Sequence, residues 1–266
     1  MRIEQLGEGT PEIAVVAAIH GDEPCGVRAV ERLLAESPAA ERPVKFVVAN
    51  EKALERDVRY VDEDLNRAFP GDADADTHER RLADALAREV RDCTTLSLHS
   101  TQSYAEPFAL VDTIDAVARS VCPYLPVSVV VETEAESDGR LIEYPHVVEA
   151  ECGLQHSEEA AENAYDLICG FLTATGALAD DAEPVAGDDC ESVDVYRLGS
   201  PVPKTEADDY EVLAENFERV TEGEAFAAAD GEELVAAESF YPVLMSAYGY
   251  ENVFGYRAER IGVLES

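Results

Sequence analysis

Apolar and polar positions follow two different rhythms along this chain. Through the first two-thirds, short apolar runs alternate with stretches of helical period. Ile13 to Ile19 is an unbroken apolar run, dense enough for a strand buried on both faces. Residues 23–37 follow with Val27, Val30, Leu33 and Leu34 at helical spacing. The pattern then predicts strands over 44–49, 94–99, 108–111 and 127–131, and a helix over 77–90 whose Thr77-x-x-Arg80 start lacks a full capping box. A further helix spans 157–173, with Ala160, Ala164, Leu167, Ile168, Phe171 and Leu172 as its apolar stripe. Such alternation predicts an α/β domain whose mostly parallel, mixed sheet is flanked by helices.

Near residue 178 the rhythm changes. Residues 179–190 are rich in Asp, Glu and Gly and read as a linker. Beyond them come short apolar runs over 193–198, 211–214, 225–228, 234–237 and 241–246, with Asp230-Gly231 as a hairpin tip between two of them. The expected organisation is an α/β domain over 1–178 and a small all-β domain over 186–266. No internal repeat is visible.

Charge alters this picture. The 266 residues carry 57 Asp plus Glu against 20 Lys plus Arg, a net charge of -37, and only Lys45, Lys52 and Lys204 are lysines. Self-repulsion of this size opposes compaction in dilute salt, and molar salt screens it. The expectation is a halophilic protein of a salt-filled cytoplasm. Nucleic acid and anionic membranes are excluded as partners for such a surface. No apolar stretch is long enough to span a bilayer, and residues 1–5 lack the pattern of a secretory signal. The six cysteines, Cys25, Cys93, Cys122, Cys152, Cys169 and Cys190, form no C-x-x-C pair and read as reduced and structural.

The chemistry concentrates at the ends of apolar runs. His20 and Glu23 form an H-x-x-E pair directly after the first strand, and His99 closes the run Leu96-Ser97-Leu98. Two strand ends that deliver His, Glu and His match the ligand set of a hydrolytic zinc site with one position left for water. The polar loop from Arg59 to Gly71 holds Asn66 beside Arg67, and an arginine fork matches a carboxylate at two points. Asp64 either orients a ligand histidine or pairs with a nearby arginine. His78 reads as exposed, His146 as structural, and His156 as bordering the pocket or lying outside it.

In combination these motifs are similar to those of the succinylglutamate desuccinylase and aspartoacylase family, relatives of the zinc carboxypeptidases. The runs H-G-D-E-P at His20, D-L-N-R-x-F-P-G at Asp64 and L-H-S at Leu98 occur in the family's order. Glu151-Cys152-Gly153-Leu154-Gln155 resembles its E-x-G-x-Q segment, and Phe240 to Leu244 followed by Tyr250 resembles its C-terminal run.

The resemblance implies a zinc-carboxypeptidase-like fold with one Zn²⁺ per chain on His20, Glu23 and His99. It implies Glu151 as general base and acid, with Glu149 as competitor because residues two apart share a strand face. Arg59 would stabilise the oxyanion, Asn66, Arg67 and Arg140 would bind a substrate carboxylate, and Tyr250 would close over the substrate, with Tyr248 as the alternative. The implied activity is hydrolysis of the amide bond of a small anionic N-acyl amino acid; the rival is a metallocarboxypeptidase acting on peptide C-termini. Self-association into a homo-oligomer stays open.

Overall fold

A computed structural model describes residues 1–133, 139–179 and 192–265. In chain order the strands and helices are β1 (Arg2–Leu6), β2 (Ile13–Ala17), α1 (Cys25–Glu36), β3 (Val44–Val48), α2 (Glu51–Leu54), α3 (His78–Val90), β4 (Thr94–Thr101), β5 (Phe108–Val111), α4 (Ala116–Val121), β6 (Val129–Glu132), β7 (Val147–Leu154), α5 (Glu158–Ala174), β8 (Ser192–Pro203), β9 (Tyr210–Val212), β10 (Ala225–Ala229), β11 (Glu232–Val235), β12 (Tyr241–Val243) and β13 (Val253–Glu265).

Ten strands form one mixed sheet in the order β1-β3-β2-β4-β7-β5-β6-β8-β13-β12. Its centre is parallel: β3 pairs with β2, β2 with β4, and β4 with β7. Every residue of β2 is buried, because successive side chains enter cores on opposite faces of the sheet. Ile13 and Val15 join Val30 and Leu33 of α1 and the apolar stripe of α5. Ala14 and Val16 join Leu82, Ala83 and Leu86 of α3. The unbroken apolar run of the sequence is thus the signature of a three-layer α/β sandwich.

The C-terminal β segment divides between two places. β8 pairs in parallel with β6 and antiparallel with β13, which extends the large sheet. β9, β10 and β11 form a separate three-stranded antiparallel sheet. Asp230 and Gly231 link β10 to β11 as a two-residue turn, both at positive φ as the twist of a tight hairpin requires. The expected linker falls almost wholly on residues 180–191, outside the described residues, as does Cys190. Cys25, Cys93, Cys122, Cys152 and Cys169 are free thiols.

Candidate active site

The functional side chains gather where β2, β4 and β7 end, at the carboxyl edge of the parallel strands, as α/β sheets commonly arrange them. β2 passes into a turn at His20-Gly21. A side chain at position 21 would meet the Ala53 carbonyl carbon at 2.1 Å, so only glycine lets this turn pack against α2. The turn brings Glu23 back so that its amide donates to the His20 carbonyl. On the neighbouring strands His99 is in register with Glu151, and Ser97 with Glu149.

His20, Glu23 and His99 converge in three dimensions, with one potential ligand atom from each lying within 4.8 Å of the others. His20 Nδ1 is 2.8 Å from Glu23 Oε1, and His99 Nδ1 is 3.1 Å from Glu23 Oε2. The outer nitrogens have their own partners. His20 Nε2 lies 3.1 Å from Asp64 Oδ1 and His99 Nε2 lies 3.2 Å from Ser97 Oγ. Both rings are thereby oriented with Nδ1 inward, the arrangement that outer partners impose on metal-binding histidines. Asp64 contacts both His20 and an arginine, since its other oxygen accepts from Arg59 Nε and Nη2.

The electrostatics of the cluster favour a cation. Burial pushes both imidazoles down, yet the surrounding carboxylates outweigh it: His20 is raised, and His99 is raised to about 9. Glu23 and Asp64 resist the upward push of burial and stay well below the carboxylate range, because His20 faces both and His99 also faces Glu23. Two buried imidazoles ringed by Glu23, Asp64, Glu149 and Glu151 form a donor set suited to a divalent ion.

These groups line a cleft of about 680 Å³, including solvent at its mouth. Arg59, Asn66, Arg67, Arg140, Glu149, Glu151 and Tyr250 all line it with the His-Glu-His cluster. Arg59 gives Nη1 to Glu23 Oε1 at 3.2 Å and two further N–H groups to Asp64. The Asn66 amide is occupied at both ends: Nδ2 donates to Glu149 Oε1, and Oδ1 accepts from Leu141 N. Arg67 donates to its neighbour's carbonyl, Asn66 O. Its guanidinium is pushed below its ordinary value by burial and by the charge of Arg140. Arg140 is 7% exposed and its Nε has no partner. Burial, opposed by His99 and reinforced by Glu23 and Glu149, raises Glu151 to about 7.

Among the described residues four buried side-chain polar atoms lack a hydrogen bond, and three of them, Ser100 Oγ, Arg140 Nε and Glu151 Oε2, belong to cleft residues. Native proteins rarely leave such groups unpaired, so their concentration here marks a surface shaped for a ligand. Tyr250 lines the cleft. Tyr248 instead points outward, 62% exposed, with its hydroxyl on Asp209. His146 and His156 are exposed, His78 lies beside Lys52 and Asn50, and none of the three lines the cleft.

Sequence reasoning missed several lining groups, among them Ser100, Gln102, Ser103 and Ser246. Ser100 adjoins His99, and its amide donates to Glu23 Oε2. Glu79 was also missed. This fully buried carboxylate accepts from Val61 N, Asp62 N, Glu63 N and Asn50 Nδ2, and so anchors the loop that carries Asp64, Asn66 and Arg67. Its signal was present, since position 79 shares the inward face of α3 with Leu82, Ala83 and Leu86.

The sheet and its helices form a zinc-carboxypeptidase-like fold. Residues 9–130 match the family model described as the succinylglutamate desuccinylase/aspartoacylase catalytic domain, so this part of the chain is similar to that domain. The match includes His20, Glu23, Arg59, Asn66, Arg67 and His99, and ends before Arg140, Glu151 and Tyr250. Solved structures with the same fold span nearly the whole chain. A product-bound ectoine utilization protein EutE (DoeB) from Ruegeria pomeroyi is 19% identical, with a TM-score of 0.78 over 98% of this chain and 88% of its own. A succinylglutamate desuccinylase/aspartoacylase from Rhodobacter sphaeroides is 18% identical, with a TM-score of 0.76 over 99% of this chain and 88% of its own. Murine aminoacylase 3 is 20% identical, with a TM-score of 0.71 over 97% of this chain and 98% of its own. No curated protein sequence matches the chain. No helix among the described residues is long and apolar enough to cross a membrane.

Proposed function

We propose that this protein is a zinc-dependent deacylase of N-acyl amino acids, with one ion on His20, Glu23 and His99. The observation that carries this reading is the unpaired, buried Glu151 Oε2 lying in one cleft with three convergent metal donors. When bound, zinc supplies Lewis-acid polarisation of the amide carbonyl and a water of lowered pKa.

The protein's own groups do the rest. Glu151 accepts a proton from the attacking water and returns it to the leaving nitrogen, so that amide and water become a carboxylate and an amine. A carboxyl group raised to about 7 is suited to both transfers near neutral pH. Arg59 has five N–H groups and spends three on Glu23 and Asp64; the others are available to the carbonyl oxygen as it gains charge. Arg67 and Arg140 hold the substrate carboxylate. Asn66 couples these parts, since its amide ties Glu149 to the backbone beside Arg140.

Leu244, Ser246, Gly249 and Tyr250 from the C-terminal segment narrow the cleft, which favours a small acyl amino acid over a peptide C-terminus. The test combines metal analysis with assays of N-acyl amino acids and of short peptides, before and after chelation. Hydrolysis of acyl amino acids that is lost with the metal and restored by zinc is expected. Cleavage of peptides alone would select the carboxypeptidase instead.

A further inference from the structure

The cations of the cleft can be counted completely. Residues 134–138, 180–191 and 266 contain no Lys, Arg or His, so every basic side chain of the protein lies among the described residues. Besides the two metal-facing histidines, the basic groups lining the cleft are Arg59, Arg67 and Arg140; Lys45, Lys52 and Lys204 are not among its walls. The three arginines are not equivalent. Arg59 is matched by two carboxylates, Glu23 and Asp64. Arg67 and Arg140 have no ion pair among the described residues; both line the cleft, and Arg67 lies close enough to feel the charge of Arg140. Two neighbouring guanidinium groups, neither in an ion pair with a described carboxylate, make a seat for one anion.

The rest of the described lining adds no further cation for a second anion. Gln102, Ser103, Leu110, Gln155, Leu244 and Ser246 are neutral, and Glu149 and Glu151 are acidic. Gln102 and Gln155 are moreover turned to each other and to the main chain, with Gln102 donating to Gln155 and Gln155 donating to the Asp22 carbonyl. A second substrate carboxylate would surrender its water to neutral walls beside two acids, inside a chain of net charge -37. A charge buried without a partner is strongly disfavoured.

We propose that the cleft selects N-acyl amino acids bearing a single carboxylate, seated between Arg67 and Arg140, and rejects those with a second carboxylate on either the side chain or the acyl group. This selection rests on the deacylase reading above and narrows its substrate class to uncharged acyl groups on amino acids without an acidic side chain.

Near-isosteric pairs that differ by one charge test it: N-acetylglutamine against N-acetylglutamate, N-acetylasparagine against N-acetylaspartate, and N-acetyl against N-succinyl forms of one neutral amino acid. The expected result is a kcat/KM about a hundredfold higher for the singly charged member of each pair, with zinc present and salt fixed. Equal rates, or preference for the doubly charged member, overturn the selection and leave the deacylase reading standing. Calorimetric binding of the same pairs to zinc-loaded Glu151→Gln reads the preference without turnover. If this variant binds the singly charged members preferentially while the unsubstituted enzyme cleaves nothing, the selection holds and the deacylase reading falls. Gln102→Lys adds the missing second cation at an exposed wall position and is expected to shrink each ratio about tenfold. Ratios unmoved by that charge would also overturn the proposal.

Discussion

Asn66 Nδ2 donates to Glu149 Oε1 at 3.2 Å, while Glu151, two positions on along β7, keeps a buried oxygen with no partner. The two carboxylates share a strand face and a cleft, but the Asn66 amide holds only Glu149. Glu151→Gln is therefore expected to lower kcat by about a hundredfold to ten-thousandfold with the fold intact. Glu149→Gln, which keeps a side-chain oxygen for the Asn66 amide, is expected to lower it by less than about tenfold. Steady-state kinetics with circular dichroism as a folding control checks this; equal losses in the two variants would refute the assignment.

How much of this was legible in the sequence follows from which interactions are local. His20, Glu23 and His99 could be found because each follows an apolar run whose strand character is set by its own side chains. What distinguishes Glu149 from Glu151 is not visible in the sequence, because the amide that holds Glu149 comes from a loop some 80 residues away. Tyr248 and Tyr250 were likewise indistinguishable until packing turned one toward Asp209 and the other into the cleft. β1 and β13 went unforeseen because their outward positions and glycines blur the alternation, and both are fixed by pairing with distant strands.

Glu79 predicts a pH effect on stability. Burial pushes its carboxyl up, but bonds from three main-chain amides and Asn50 outweigh burial and hold it below its ordinary value of 4.5. A depressed folded-state pKa contributes stability that is fully present above the unfolded value and is lost as pH falls through the folded one. Glu79→Gln is expected to cost about 1–3 kcal/mol at pH 7, and the gap from the unsubstituted protein should narrow below about pH 4.5. Urea unfolding of both proteins from pH 7 to 3 measures it; a gap that stays constant or widens on acidification contradicts the role.

The net charge of -37 predicts a dependence on salt. The Debye length shrinks from about 10 Å at 0.1 M to about 3 Å at 1 M, so repulsion between surface carboxylates is largely removed. Tm is expected to rise by several degrees or more between 0.1 and 2 M KCl, and to rise less in sucrose of equal osmolality, which leaves the charges unscreened. An equal Tm at both salt concentrations would sink the halophilic reading.

Lys204 links the outer sheet to the cleft. Its Nζ donates to the Tyr250 carbonyl at 2.6 Å, and it lies 4.7 Å from the centre of the Tyr210 ring, with Phe254 at 5.6 Å and Tyr248 at 5.9 Å. An ammonium held against aromatic faces is attracted by their quadrupoles, so the segment bearing Tyr250 is tied to a cation that the small antiparallel sheet helps hold. Lys204→Met keeps the length and loses both the charge and the bond. Because Glu151 and the His-Glu-His cluster lie elsewhere, the loss should fall on substrate binding: KM rises about threefold to tenfold while kcat changes by less than about twofold. Lys204→Arg, which can still donate to the carbonyl, should recover most of the affinity. A fall in kcat at unchanged KM, or failure of the arginine variant to restore KM, would show that Lys204 does not position Tyr250 over the substrate.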